Sequence, residues 1–137
     1  MIGKILRFKK KIPLNASAGE KAGALYASGY NCAQAVFEAT TGNDDPGLMK
    51  MAKAFGGGIG GSKCLCGAVT GGVMALSHLD RGDLAARLVE EFKKQRRMTC
   101  CSGLTKGFVW KSRDHLDHCR RITEETAQMV ARLLHEE

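Results

Sequence analysis

The chain has 137 residues, of which 44% are hydrophobic, and it carries 21 Lys and Arg against 14 Asp and Glu, for a net charge of +7. This length suits one domain, and this apolar content excludes an intrinsically disordered chain. No stretch reaches the roughly 20 apolar residues that a membrane-spanning helix needs, and the start of the chain lacks the apolar run of a secretory signal. We therefore expect a cytoplasmic protein, in which thiols stay reduced and cysteine clusters serve metal or redox chemistry.

Most of the net positive charge lies at the start of the chain. This stretch holds five basic residues and no acidic residue, namely Lys4, Arg7, Lys9, Lys10 and Lys11. A domain that binds nucleic acid spreads its basic residues over a folded face, whereas a terminal run is typical of a mobile, solvated arm. The sequence thus predicts a basic arm over residues 1–14, a folded domain over residues 15–137 and no nucleic-acid partner. Binding of phosphate or of a membrane surface by the arm is the alternative.

Five to six helices are predicted, and N-terminal caps mark the first three. Ser17 and Glu20 have the spacing of a capping box. Asn31 is a typical cap residue, and Asp45 precedes a proline, which is favoured at the first helical position. These signals place helices over residues 18–28, 32–41 and 46–55.

The second half of the chain begins with a glycine-rich loop over residues 56–61. It matches the dinucleotide-binding fingerprint formally, but no strand precedes it and no parallel sheet is predicted. Three more helices are expected over residues 66–78, 83–97 and 112–134, with a turn-rich stretch before the last one. The apolar stripes of the last two comprise Leu84, Leu88 and Phe92, then Leu116, Cys119, Thr123, Ala127, Val130 and Leu134. Because strand-type runs are missing, the predicted fold class is all-α, a single-domain bundle of five to six helices with a Gly-rich loop.

Six cysteines are the most informative residues of the chain. They occur in four neighbourhoods, which are two predicted helix starts, one loop and the interior of the last helix. No two are spaced as Cys-x-x-Cys, which disfavours a thioredoxin-type motif and a zinc knuckle. Four thiols from four segments can nevertheless converge in a helical bundle, as a four-ligand site requires. The cysteines are Cys32, Cys64, Cys66, Cys100, Cys101 and Cys119.

Cys66 lies at the start of the fourth predicted helix. Its thiol is then among unpaired backbone N–H groups at the positive end of the helix dipole, which favours the thiolate and lowers the pKa. Gly67, Gly71 and Gly72 leave one face of this helix almost without side chains, so that another backbone or a cofactor can approach closely. Tight packing of the helix around an inert, buried cysteine is the alternative interpretation.

His115 is a further candidate ligand. It lies four residues before Cys119, so the two side chains share one face of a helix, and a mixed Cys/His metal site that includes His115 is conceivable. The adjacent His118 points elsewhere. We expect instead that the polar residues of these first helical turns are exposed.

Residues 66–71 read Cys-Gly-Ala-Val-Thr-Gly and follow Phe-Gly-Gly-Gly-Ile-Gly at residues 55–60. In this motif and in its cysteines the chain resembles the C_GCAxxG_C_C family of redox-active proteins, which is defined by four cysteines and a CGAxxG motif. The resemblance extends from about residue 20 to residue 134. The cysteines that it matches to those of the family are Cys32, Cys66, Cys101 and Cys119. Cys101 is preferred to Cys100 because Cys101-Ser-Gly-Leu104 resembles the Cys-x-x-Leu of the family.

The resemblance implies a redox role and favours an iron–sulfur cluster as cofactor, because related domains occur beside haem modules and are associated with such a cluster. It also implies a redox partner linked to a membrane transporter, since members are often encoded near transporter genes. Cys64, Cys100 and the basic arm have no counterpart in the family pattern. Cys64 and Cys100 are therefore candidates for spare metal ligands, resolving thiols or bystanders.

Three functions follow from these observations. The first is a redox-active protein whose four family cysteines bind an iron–sulfur cluster for electron transfer, with Gly67 and Gly71 allowing the cofactor to approach. The second is thiol–disulfide chemistry by the same cysteines, in which Cys66 attacks and Cys101 or Cys32 resolves. The third is a structural zinc protein or an oligomeric binding module. A glycine-faced helix and thiols from scattered segments also suit a homodimer.

Overall fold

The computed structural model describes Ile12 and residues 15–136, and this part of the chain is all-α. The helices are α1 (Ala18–Ala27), α2 (Cys32–Thr41), α3 (Pro46–Lys53), α4 (Gly67–His78), α5 (Ala85–Arg96), α6 (Cys101–Leu104) and α7 (Arg113–His135). Since α6 is a single turn, six longer helices remain in the described chain, and the predicted fold class is confirmed. Apart from Ile12, the predicted arm and its border at residue 14 lie outside the described residues. No described helix is both long enough and apolar enough to cross a membrane.

Side-chain caps determine where the first helices begin. Glu20 N donates to Ser17 Oγ over 3.1 Å and Ser17 N donates to Glu20 Oε1 over 3.0 Å, which is the predicted capping box. At the start of α2, Gln34 N donates to Asn31 Oδ1 over 2.9 Å, and Asn31 N donates to Gln34 Oε1 over 3.0 Å. These bonds satisfy N–H groups that a helix leaves unpaired. They make Cys32 the first residue of α2.

The hydrophobic core lies where α2 and α4 cross and where α5 and α7 cover them. Val36 and Phe37 of α2 belong to one buried cluster with Val69 and Leu76 of α4. The predicted inner face of α5 is confirmed, because the three apolar residues of its predicted stripe, the first of which immediately precedes the helix, are buried in the same cluster. These residues are Leu84, Leu88 and Phe92.

The predicted stripe of α7 is wrong at its first turns. Leu116 is 43% exposed, whereas Ile122, Met129 and Leu133 are buried. The middle and the end of α7 pack against the other helices, while its first turns border a cavity, which Leu116 lines. The apolar periodicity alone does not distinguish a core contact from a cavity wall.

The glycine-rich loop folds back on itself between α3 and α4. Gly57 and Gly58 have φ values of 68° and 85°, in the left-handed region that favours glycine. Ile59 N donates to Cys64 O over 2.9 Å and Lys63 N donates to Gly57 O over 2.8 Å, which closes the loop. The loop leads from a helix and not from a strand, so it is a turn that positions the start of α4.

Candidate functional site

Four free thiols line one cavity of about 700 Å³. Cys32 is the first residue of α2, Cys66 caps α4 and Cys101 is the first residue of α6, so three helices begin at this cavity. Cys119 comes from the second turn of α7. The tertiary structure therefore brings together the four cysteines that the sequence analysis selected.

Two glycines allow the start of α4 to approach the start of α2 closely. A Cβ atom at Gly71 would lie within 3.0 Å of three backbone atoms of Ala33, and a Cβ atom at Gly67 would overlap the sulfur of Cys32 and the carbonyl oxygen of Phe55. Only a hydrogen atom fits at either position. Gly71 thus allows a backbone contact between the two helices, whereas Gly67 leaves room for the Cys32 sulfur.

Main-chain N–H groups donate to three of the four sulfurs. The donors belong to the glycine-rich loop and to the first turns of α2, α4 and α6, and each bond lowers the pKa of the thiol that accepts it because it stabilises the thiolate. Gly57 and Ala33 donate to Cys32, Ala68 donates to Cys66 and Gly67 donates to Cys101, while Cys32 and Cys101 also accept from their own N–H groups. The loop and the CGAxxG motif therefore contact the sulfur atoms directly.

Cys66 and Cys101 form a hydrogen-bonded thiol pair. The Cys66 thiol donates to the Cys101 sulfur, which lowers the pKa of Cys101 to about 7 and, together with burial, raises the pKa of Cys66 well above its ordinary value. A main-chain hydrogen bond also joins the two segments that carry these cysteines, since Cys66 N donates to Thr99 O over 2.6 Å. The prediction that Cys66 has the lowered pKa is wrong, because its thiol is buried and serves as the donor of this bond.

Burial keeps the other two cavity thiols protonated at neutral pH. Burial raises the pKa of Cys32 to about 11 and the pKa of Cys119 to about 12. The Tyr26 hydroxyl donates a hydrogen bond to Cys119, which opposes part of this shift, and burial likewise raises the pKa of Tyr26. A group that binds these sulfurs as thiolates must therefore displace protons.

His115 is buried beside Cys119, with 3% of its surface exposed, so the expectation that it is exposed is wrong. Lys111 N donates to His115 Nδ1 over 2.8 Å, and His115 Nε2 lies 3.4 Å from Cys119 Sγ. Since a backbone N–H can only donate, the proton of the neutral ring is on Nε2, and it points to the Cys119 sulfur. Burial lowers the pKa of His115, which keeps the ring neutral. In this arrangement Nδ1 accepts a hydrogen bond and Nε2 carries the proton, so neither nitrogen is free to bind a metal. His115 instead donates a hydrogen bond to Cys119.

A family model described as "Putative redox-active protein (C_GCAxxG_C_C)" matches residues 30–133. The chain belongs to this family. The matched residues include the CGAxxG motif and all four cavity cysteines, whereas the basic arm lies outside them. No curated protein and no solved structure matches the chain.

Within this member of the redox-active family, Cys64 and Cys100 form a disulfide. Their sulfurs are bonded to each other and are not free thiolates, which corrects their inclusion among the candidate metal ligands. Cys100 is not among the residues that line the cavity, whereas its neighbour Cys101 is. This difference favours Cys101 as the third family cysteine.

The cavity is positively charged at its rim. Lys53, Lys63 and Lys111 line it, and no acidic residue occurs among its lining residues. Lys63 Nζ lies 4.6 Å from the centre of the Trp110 ring, and that ring packs against His115 with a centroid distance of 4.3 Å and an angle of 34° between the ring planes. These side chains cover the approach to Cys119 and provide cations for a negatively charged occupant.

Two supporting residues were not predicted from the sequence. Tyr26 lies in α1, and nothing in its spacing relates it to Cys119. Trp110 lies in the turn-rich stretch before α7, which gives no periodicity to place its side chain. The i, i+4 spacing of His115 and Cys119 was the one signal that indicated part of this arrangement.

Proposed function

We propose that this member of the redox-active family binds an iron–sulfur cluster through Cys32, Cys66, Cys101 and Cys119 and serves in electron transfer. The observation that carries the proposal is the convergence of four free thiols on one cavity. Iron–sulfur clusters are held by four cysteine thiolates in their commonest form. When bound, the cluster would accept and release one electron at a time.

The residues around the cavity fit such a group. Soft thiolate ligands select iron–sulfur clusters, zinc or Cu(I) over hard cations. Among the described residues, no three His, Cys, Asp or Glu side chains are grouped closely enough to hold one metal ion as they stand, so any metal group would have to draw the cavity sulfurs together. Four sulfurs around a cavity of about 700 Å³ favour an occupant of several atoms. The lysines at the rim offset the negative charge that four thiolates introduce.

The chain's own hydrogen bonds would tune the site. Backbone N–H groups donate to three sulfurs, and Tyr26 and His115 donate to Cys119. Hydrogen bonds to sulfur and limited access of water are among the factors that set the reduction potential of a cluster. Trp110 packs against His115, and Cys119 is partly buried beside them.

The proposal predicts metal content that is measured directly. Protein purified without oxygen is expected to be brown and to contain about two or four iron atoms per chain with a matching amount of acid-labile sulfide. The measurements are iron and sulfide assays and the visible absorption spectrum. A colourless preparation that stays free of iron after anaerobic reconstitution contradicts the proposal.

Thiol–disulfide exchange is the second candidate function, and the bond between Cys66 and Cys101 favours it. In this reaction the Cys101 thiolate attacks a substrate disulfide and forms a mixed disulfide, while one substrate sulfur leaves as a thiolate. Cys66 then attacks Cys101, which releases the second substrate sulfur and leaves a Cys66–Cys101 disulfide. Two electrons pass from the pair to the substrate, and the roles are the reverse of those expected from the sequence.

Thiol–disulfide exchange through Cys101 predicts how the alkylation rate of this thiol depends on pH. In the metal-free protein, alkylation of Cys101 by iodoacetamide is expected to reach half of its maximal rate near pH 7, because the thiolate forms as pH rises through a pKa of about 7. Mass spectrometry of the alkylated peptide measures this rate. In a Cys66→Ala variant the donor is lost, so the midpoint should move up towards the ordinary pKa of 9.0. An unchanged midpoint in that variant would show that Cys66 does not activate Cys101.

A further inference from the structure

The Cys64–Cys100 disulfide lies beside the four-thiol cavity, and its two halves precede Cys66 and Cys101 in the chain. Cys64 is exposed and Cys100 is half-buried, and neither is among the residues that line the cavity. We propose that this disulfide is a second redox centre, which exchanges with a dithiol of a partner protein at the surface. The proposal goes beyond cluster binding and does not depend on it.

The backbone around the disulfide is held independently of the S–S bond. Ser102 N donates to Lys63 O over 3.0 Å and Cys66 N donates to Thr99 O over 2.6 Å, which joins the two segments on both sides of the disulfide. Ser62 Oγ donates to Cys64 O over 2.7 Å and holds the loop in the same place. Opening the S–S bond therefore leaves the segments paired, and the reduced pair remains close enough to form the disulfide again.

The surroundings of the disulfide suit attack by a thiolate. Cys64 is the more exposed residue of the pair, and exchange rates depend on access to the sulfur that is attacked. Residues 51–79 and 92–113, which contain the two cysteines, include no acidic residue. Lys63 precedes Cys64, and positive charge near a sulfur favours both the incoming and the leaving thiolate. The partner that fits this chemistry is a protein with an exposed dithiol.

A thiolate of the partner attacks Cys64 Sγ, the S–S bond to Cys100 breaks, and Cys100 leaves as a thiolate that takes up a proton. The second thiol of the partner then attacks its own sulfur in the mixed disulfide and releases Cys64. Two electrons and two protons pass to the Cys64/Cys100 pair, and the partner becomes oxidised to a disulfide.

The test uses the full chain and, as the probe, a thioredoxin variant in which serine replaces the second active-site cysteine, so that the first step is trapped. One mixed disulfide per chain is expected, and peptide mapping should place it on Cys64 at least about tenfold more often than on Cys100. With unaltered reduced thioredoxin, both cysteines should become open to alkylation while the helical circular dichroism stays unchanged. A Cys64→Ser, Cys100→Ser double variant serves as the matched control and should form no adduct.

Two results would overturn the proposal. The first is a disulfide that thioredoxin reduces only after denaturant has unfolded the helices, since that defines a structural cross-link. The second is an adduct on a cavity cysteine in place of Cys64. Neither result bears on iron content, and an iron-free protein with a normal Cys64 adduct would contradict the cluster proposal alone.

Discussion

Replacing Gly71 with alanine is expected to lower the free energy of unfolding by about 2–3 kcal/mol, and valine should cost more. The new Cβ atom would lie within 3.0 Å of the O, Cα and C atoms of Ala33. These are backbone atoms in the buried first turn of α2, so they cannot rotate away as a flexible side chain does. The two helices must separate, which also moves Cys32 away from Cys66. Urea denaturation followed by circular dichroism measures the loss.

Gly82→Ala is the matched control for this substitution. The nearest atom to a Cβ at Gly82 is Ser77 Oγ, at 3.8 Å, which is an ordinary contact, and its φ lies outside the left-handed region. Alanine there should be neutral or stabilise by up to about 1 kcal/mol, because it reduces the freedom of the unfolded chain. Equal losses at Gly71 and Gly82 would contradict the backbone contact as the reason for the glycine in the motif.

Serine at any one of the four cavity cysteines is expected to lower bound iron by at least about tenfold. A serine hydroxyl is a poor ligand for a cluster at neutral pH, whereas its size is close to that of a thiol, so the fold should persist. Iron and sulfide assays on anaerobically prepared variants measure the effect, with circular dichroism to confirm folding. The variants are Cys32→Ser, Cys66→Ser, Cys101→Ser and Cys119→Ser.

The Cys64→Ser, Cys100→Ser double variant is the control for this series. It removes two cysteines that lie outside the cavity and should retain the iron content of the unaltered chain. If this variant loses iron while Cys32→Ser keeps it, the proposed ligand set is wrong. If the unaltered chain and all variants retain their helicity and none of them contains iron, thiol–disulfide exchange becomes the better interpretation.

Local signals predicted most of the fold. Ser17, Asn31 and Asp45 cap helices as expected, because capping depends on side chains within three residues of the helix start. The single turn of α6 was missed, since four residues are too short for a periodic pattern and one of them is glycine. Leu116 was misassigned to the core because periodicity identifies a helix face and does not identify what that face contacts.

Chemical roles within the site depended on contacts between distant residues. A helix start at Cys66 predicted a lowered pKa, yet the neighbouring Cys101 accepts the hydrogen bond and has the lowered pKa instead. His115 was expected at the surface, whereas Trp110 covers it and Lys111 N–H orients its ring. Burial and hydrogen-bond partners set the pKa of a group, and both are properties of the folded chain.

The sequence by itself determined that this protein is a helical, cysteine-rich member of a redox-active family. Its charge pattern, caps, glycine motif and cysteine spacing are local, and local patterns can be read along the chain. Only the tertiary structure decided that six cysteines divide into four cavity thiols and one disulfide. Cys64 and Cys66, like Cys100 and Cys101, are near neighbours in sequence, and their different roles arise from which side chains the packing of α4 and α6 turns towards the cavity.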